Sequence, residues 1–150
     1  MGPLGGADLS EAQIAVNRGS KFHVKGRHEK AIESYDKAVQ LDPDYAIAYY
    51  YRAGAYSEIG QYQSALKDIN RCIELESDDS DADDYCVRGA IYFGLEELEL
   101  ALADYDKAIK LNPDAAIAYY GRGGTYRKLG QTANADVDFS KACELDPKFC

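Results

Sequence analysis

The sequence predicts an all-α fold of four stacked, antiparallel helix hairpins, and three observations support this prediction. Residues 105–122 repeat residues 35–52 with thirteen of eighteen positions identical, far more than unrelated segments share. One small residue recurs at intervals of 34, 36 and 34 residues, as Ala31, Ala65, Ala101 and Ala135. Within each interval, apolar residues follow one another at steps of three and four, which is the spacing of one helix face.

Each interval is predicted to hold two helices. The first helix carries apolar residues at helical spacing, such as Ala46, Tyr49 and Ala53, and ends near a glycine such as Gly60. The second helix ends before a proline, as at Pro43. Because a hairpin of this size cannot bury its own apolar face, neighbouring hairpins must stack. The predicted repeats are 12–45, 46–81, 82–115 and 116–149.

Two segments depart from the period. Residues 1–11 are interpreted as a leader, since residues 2–5, Gly-Pro-Leu-Gly, resemble the remnant that protease removal of a purification tag leaves. A two-residue insertion falls in the acidic stretch after Glu76, where we expect a longer and looser turn. The repeat domain is therefore predicted to span residues 12–150.

Composition narrows the class of function. The 17 Lys and Arg against 26 Asp and Glu leave a net charge of −9, which opposes binding to nucleic acid or to an anionic membrane. We therefore expect neither as a partner. No apolar run is long enough to span a bilayer and no signal peptide is recognisable, so we expect a water-soluble, cytoplasmic protein. The four cysteines form no close pair and are expected to be reduced structural thiols.

Residues of one type recur at the same position in each of the four units. We call such a position a slot, and the slots together resemble a known repeat family. A small residue fills one slot, as Gly19, Ala53, Gly89 and Gly123. An aromatic residue fills another, as Phe22, Tyr56, Tyr92 and Tyr126. With the recurring alanine and proline, this pattern resembles the tetratricopeptide repeat (TPR) over residues 12–147. The resemblance implies a right-handed α-solenoid whose first helices line a concave face that binds other proteins.

The concave face implied by this resemblance carries the expected binding residues. They are four aromatic residues and their apolar or cationic neighbours: Tyr50, Tyr51, Phe93, Tyr120, Ile47, Val87, Ile117 and Arg127. Such a surface anchors partner side chains, so we predict an interaction scaffold that binds an extended peptide or a helix of a partner protein. We expect alanine at Tyr51 or Phe93 to weaken binding without moving the melting transition.

One binding mode of the family is predicted to be absent. A TPR subgroup in co-chaperones grips the C-terminal carboxylate of heat-shock chaperones with a Lys, Asn, Asn, Lys and Arg constellation. The corresponding slots here hold Val16, Ser20, Tyr51, Asp83 and Val87. Asp83 would repel a carboxylate, so we expect no binding of a chaperone tail by this carboxylate clamp.

A recurring arginine has two interpretations. The four members of this slot are Arg18, Arg52, Arg88 and Arg122. They are predicted to face the second-helix side, where aspartates recur at Asp36, Asp68, Asp104, Asp106 and Asp138. We expect intramolecular ion pairs, and a ladder for an acidic partner is the alternative.

No residue set predicts catalysis, a cofactor or a metal site, so we expect no enzyme activity. His23 and His28 are five residues apart and are not expected to share a helix face as a metal pair would. The acidic run after Glu76 begins like an EF-hand loop, but Asp84 stands where that loop requires glycine. We expect a solvated loop that places negative charge at the N-terminus of the next helix.

An alternative function is self-assembly. The last predicted helix, residues 132–145, keeps apolar residues including Val137 and Phe139, and no polar capping helix is visible after it. Ends of two molecules stacking on each other would bury this face and give a homo-oligomer.

Overall fold

The computed structural model describes residues 9–150, which form eight α-helices and no strand. The helices are α1 (Glu11–Val24), α2 (His28–Leu41), α3 (Ala46–Glu58), α4 (Tyr62–Glu76), α5 (Ala82–Gly94), α6 (Leu98–Leu111), α7 (Ala116–Lys128) and α8 (Thr132–Leu145). Short 3₁₀ turns follow α4 at Ser77–Asp79 and α8 at Pro147–Phe149. The predicted all-α class is confirmed. Within the described range, no helix has the length and apolarity needed to cross a membrane.

The helices form two layers. Each odd-numbered helix packs against the even-numbered helix that follows it, which makes four hairpins, and each even-numbered helix also packs against the first helix of the next hairpin. The first helices α1, α3, α5 and α7 contact one another in succession and form the inner layer.

The core is shared between neighbouring hairpins. One cluster joins Ala31 and Tyr35 of the first hairpin to Ala48 of α3, and a second joins Ile69 of α4 to Ile91 of α5. A third cluster joins the third hairpin to Ala118 of α7. Each hairpin therefore buries its apolar face only by stacking, as expected for a repeat protein.

Small residues face large residues within every hairpin. A Cβ added at Gly89 would lie 3.0 Å from the ring of Tyr105, and one added at Gly123 would lie 2.9 Å from the ring of Phe139. The second hairpin has a different pair at these positions: Ala53 takes the place of the glycine, and Ile69 takes the place of the aromatic ring in the same cluster. The small slots are therefore needed for close helix packing.

The start of α1 differs from the sequence-based expectation, whereas the turn after Glu76 agrees with it. Ser10 accepts a hydrogen bond from the backbone N–H of Gln13 and caps α1, so the helix begins at Glu11, inside the expected leader. Residues 1–8 of that leader lie outside the described residues. After Glu76 the insertion forms the 3₁₀ turn, and Ser77 has a φ of 47°, as a looser turn predicts.

The prediction that all four cysteines are reduced is wrong for two of them. Cys143 and Cys150 form a disulfide with a Cα–Cα distance of 4.7 Å, because the turn after α8 folds the chain back onto the end of that helix. The seven-residue separation gave no recognisable spacing motif. Cys72 and Cys86 are free and buried. The thiol argument for a cytoplasmic location therefore does not extend to Cys143 and Cys150.

Candidate functional site

The inner layer forms an apolar groove of about 470 Å³ across the last three hairpins. Six of the eight predicted binding residues line it: Tyr50, Val87, Phe93, Ile117, Tyr120 and Arg127. Successive first helices place them there, since Tyr50 lies on α3, Phe93 on α5 and Tyr120 on α7. The size suits a few partner side chains.

Two apolar side chains of this groove are open to solvent. The exposed fraction is 52% for Ile117 and 46% for Tyr120. The Tyr120 ring packs against two other rings, with the centroid of Phe139 at 5.5 Å and that of Phe149 at 4.9 Å. The groove thus presents apolar surface at positions fixed by packing.

Ile47 and Tyr51 lie in a neighbouring depression rather than in the main groove. They line it together with Tyr50 and an acidic group made up of Glu76, Asp81, Asp83 and Asp84. Tyr51 also packs against the core of the first hairpin, and its ring stacks on Tyr35 with centroids 6.1 Å apart. From this packing we expect alanine at Tyr51 to lower the melting temperature, in place of the unchanged transition expected from the sequence.

Second helices contribute two rings that sequence reasoning missed. Tyr105 of α6 and Phe139 of α8 form part of the groove wall. Arg127 lies over the Phe139 ring, with the guanidinium carbon 5.1 Å from the centroid. The glycines at 121 and 123 are the sequence feature that could have identified these rings. A Cβ at Gly121 would overlap Tyr105, and one at Gly123 would crowd Phe139. Because glycine has no side chain, the two rings reach the groove between the first helices.

Burial favours the neutral form of the tyrosine hydroxyls and the thiol in the groove. It raises the pKa of the Tyr50 and Tyr105 hydroxyls, and the carboxylate of Asp83 acts in the same direction on Tyr50. Burial also raises the pKa of the Cys86 thiol to about 12. Cys86 is therefore a thiol at neutral pH rather than a nucleophilic thiolate. The tyrosines keep their O–H groups and remain hydrogen-bond donors.

Three of the four recurring arginines form ion pairs within the fold. Arg52 donates two hydrogen bonds to Asp68 at 2.7 and 2.8 Å and one to Asp36 at 2.9 Å, and Arg122 binds Asp138 and Asp106 in the same way. Arg88 pairs with Asp104, and Asn70 takes the place of the second aspartate. The expected intramolecular ion pairs are present for these three residues. Arg18 makes none among residues 9–150, because Ser34 stands where the pairing aspartate would be.

The five clamp slots carry no cation. Val16 is buried, the hydroxyls of Ser20 and Tyr35 lie 3.4 Å apart, and Tyr51 stacks in the core. Asp83 is exposed and Val87 is half-buried at the groove. The absence of carboxylate-clamp binding stays a prediction.

The structure shows where the acidic run before α5 and the two histidines lie. Asp81 caps α5 by accepting from the backbone N–H of Asp84, whose own carboxylate accepts from the N–H of Asp81. The acidic run thus places negative charge at a helix N-terminus, as predicted. His23 and His28 lie on different helices, α1 and α2, and so do not share a helix face, but the turn between these helices brings their rings within 5.2 Å of each other.

The fold and the groove define a class of protein, the helical-repeat solenoids that present a concave inner surface. Comparison with known families makes the class specific. The family model described as "TPR repeat" matches residues 19–60 and 89–130, more than half of the chain. Models described as "Tetratricopeptide repeat" match residues 46–79 and 116–149. The chain belongs to the tetratricopeptide repeat family.

Three relatives illustrate the similarity. Tetratricopeptide repeat protein 6 of Homo sapiens is 30% identical over 133 residues, which are 89% of this chain and 25% of the relative. RNA polymerase II-associated protein 3 of Mus musculus is 35% identical over 107 residues, 71% of this chain and 16% of the relative. The chain thus spans a quarter or less of the length of these two proteins.

A solved structure, the first TPR of Spaghetti (RPAP3) bound to the HSP90 peptide SRMEEVD, is 28% identical with a TM-score of 0.76. The match covers 83% of this chain and 97% of that one.

Proposed function

We propose that this chain is a protein-interaction scaffold whose inner groove binds one segment of a partner protein, as an extended peptide or a helix. The observation that carries the proposal is the convergence of Tyr50, Phe93, Ile117 and Tyr120 on one apolar groove. Aromatic side chains with restricted rotamers are effective anchors at such surfaces. The peptide-bound relative supports the general role, since a chain of the same fold binds a peptide.

The charges around the groove select the partner's chemistry. Asp83 lies at the boundary between the groove and the acidic depression that contains Asp81 and Glu76. Arg127, which also lines the groove, already lies over the Phe139 ring. A segment with one or two large apolar residues next to a Lys or Arg fits this arrangement, and the net charge of −9 steers basic segments toward the chain.

Selection from a random peptide library tests this function without knowledge of the natural partner. Peptides displayed on phage are panned against the purified chain, and the binders are measured by fluorescence anisotropy. We expect selected peptides to combine aromatic or aliphatic residues with Lys or Arg. Phe93→Ala and Ile117→Ala should each weaken binding by about tenfold, since a moderate anchor contributes about 1–2 kcal/mol.

Val137→Ala is the matched control, because Val137 is 68% exposed and apolar but lies on α8, outside the groove lining. Its binding should equal that of the parent chain. Equal loss in all three variants, or no loss in the Phe93 and Ile117 variants, would contradict the groove as the binding site.

The peptide SRMEEVD provides a separate arm for the carboxylate clamp. Its carboxylates would meet Asp83 where a clamp presents lysine, so we expect no saturable binding at about 100 μM peptide. Saturable binding of this peptide by the parent chain would contradict this prediction.

End stacking is the second candidate function. Among residues 9–150, only the turn Pro147–Phe149 follows α8, whereas each earlier second helix is covered by the first helix of the next hairpin. Analytical ultracentrifugation under reducing conditions tests it. A mass that rises with concentration supports stacking, and a constant monomer mass contradicts it.

A further inference from the structure

A histidine-rich cluster lies at the junction of the first two hairpins, away from the groove. His23 on the last turn of α1 and His28 at the start of α2 both point their Nε2 atoms at Glu58 near the end of α3. The Nε2 of His23 lies 3.0 Å from one carboxylate oxygen, and that of His28 lies 3.2 Å from the other. These are the only two histidines in the chain.

The cluster is not part of the repeat pattern. At the next two junctions the same three slots hold Ser57, Tyr62 and Gly94, and then Phe93, Leu98 and Lys128. There the neighbouring side chains pack, with Tyr62 against Gly94 and the Lys128 ammonium over the Phe93 ring. Helix stacking therefore does not require two imidazoles and a carboxylate at this position.

We infer that His23, His28 and Glu58 form a binding site for a divalent transition-metal ion, Zn²⁺ being the best match. One ligand atom from each residue lies within 4.8 Å of the other two, although the residues come from three different helices. Two imidazoles and a carboxylate suit this ion, which binds nitrogen and oxygen at about 2.0–2.2 Å. The Glu58 side chain is 51% exposed, so it can withdraw to admit an ion and leave the fourth position to solvent.

The histidine surroundings set the expected affinity. The Nδ1 atoms of His23 and His28 are buried and have no hydrogen-bond partner. Coordination through Nε2 moves each ring proton to Nδ1, where it finds no acceptor. Sites without such acceptors bind metal about 10- to 100-fold more weakly, so we expect a Kd of about 10 μM.

A second group of metal-binding atoms competes poorly. Cys72, Glu76 and Asp84 also lie close enough together to share an ion. Asp84 is already used in the cap of α5, however, and burial strongly disfavours the thiolate of Cys72 that a metal would need. The histidine cluster is therefore the site we assign, independently of the groove and its function.

Titration of the tag-free chain with ZnCl₂ and CoCl₂ tests the site. By calorimetry we expect one Zn²⁺ per chain, and by NMR we expect both sets of imidazole resonances to shift together. The bound Co²⁺ should show ligand-field absorption without a thiolate charge-transfer band. At a free Zn²⁺ concentration 100 times the Kd, the ratio of folded to unfolded chain should rise about 100-fold.

Variants assign the ligands. His23→Gln, His28→Gln and Glu58→Gln should each lower Zn²⁺ affinity at least tenfold, whereas Glu33→Gln, an exposed carboxylate on α2, should leave it unchanged. Circular dichroism in EDTA verifies that each variant is folded, and the NMR titration of the parent chain needs no variant. No binding at about 200 μM Zn²⁺ would overturn the inference. A charge-transfer band that Cys72→Ser removes would also overturn it, because the ion would then sit at the other group.

Discussion

At the scale of single residues, Arg52 joins two hairpins. It pairs with Asp68 of its own hairpin and Asp36 of the preceding one, and its guanidinium carbon lies 5.6 Å from the centroid of the Tyr49 ring. The Asp68 side chain is only 5% exposed. An aspartate so deeply buried depends on its partner, because an unpaired charge inside a protein is costly.

Replacement of Arg52 by methionine should therefore lower the free energy of unfolding by about 3 kcal/mol, since Asp68 would stay buried and unpaired. Arg18→Met is the matched control: it occupies the same slot but is exposed and makes no ion pair within residues 9–150. We expect a change below about 0.5 kcal/mol there. Urea denaturation measures both, and equal effects would contradict the assigned role of the buried pair.

Glu76 gives the stability a dependence on pH. Burial, reinforced by the neighbouring carboxyl of Asp84, raises the pKa of Glu76 from 4.5 to about 7. Between these values the folded chain holds a proton that the unfolded chain has lost, so the free energy of unfolding decreases as the pH rises through that window.

Glu76→Gln should remove this decrease and raise stability at pH 8 by about 1 kcal/mol, a figure reduced for the partial exposure of the side chain. Glu99→Gln, an exposed carboxylate on α6, should keep the parent's slope. Denaturation curves from pH 5 to pH 8 measure the difference. A Glu76→Gln slope equal to that of the parent would contradict the prediction.

At the scale of the helix, one glycine slot is filled by a residue that strains the backbone. Gly26, Gly60 and Gly130 follow first helices with φ between 73° and 79°, whereas Glu96 occupies the same place with a φ of 61°. Side chains disfavour this left-handed conformation by about 1 kcal/mol.

Glu96→Gly should therefore stabilise the chain by about 1 kcal/mol, and Gly60→Ala should destabilise it by a similar amount. The loss of the exposed contact between Glu96 and Lys128 costs little. Thermal melting of both variants tests the pair, and shifts of the same sign would refute the conformational explanation.

Two glycines of α7 should respond oppositely to alanine. A Cβ at Gly121 would overlap the Tyr105 ring, while a Cβ at Gly124 meets no atom within 4 Å. Gly121→Ala should cost about 2 kcal/mol through overpacking, and Gly124→Ala should stabilise the helix by up to about 1 kcal/mol. Chemical denaturation distinguishes them, and equal destabilisation by both would show that space beside Tyr105 is not limiting.

The sequence predicted where the helices begin better than it predicted which side chains of adjacent helices contact one another. The starts of α3, α5 and α7 at Ala46, Ala82 and Ala116 coincide with the predicted repeat boundaries, because helical periodicity and glycine or proline stops are local signals. The inward packing of Tyr51 and the meeting of His23 with His28 depend on how adjacent helices are oriented, which periodicity does not encode. Six of the eight proposed site residues line one groove, because the repeat position alone places them on the inner face, and their role in binding stays a prediction.

At the scale of the whole molecule, stacking creates the candidate site. No single hairpin contains the groove, since its walls come from α3, α5, α6, α7 and α8. The first hairpin contributes no residue to its lining. We therefore expect the last three hairpins to bind the partner.

Mapping of a bound peptide by NMR on the ¹⁵N-labelled chain tests the central claim most directly. With a peptide selected as described above, we expect the largest amide shifts on the inner faces of α3, α5 and α7, around Tyr50, Phe93 and Tyr120. Shifts concentrated on the outer surfaces of α4 and α6, or around Val137 of α8, would contradict the groove as the binding site.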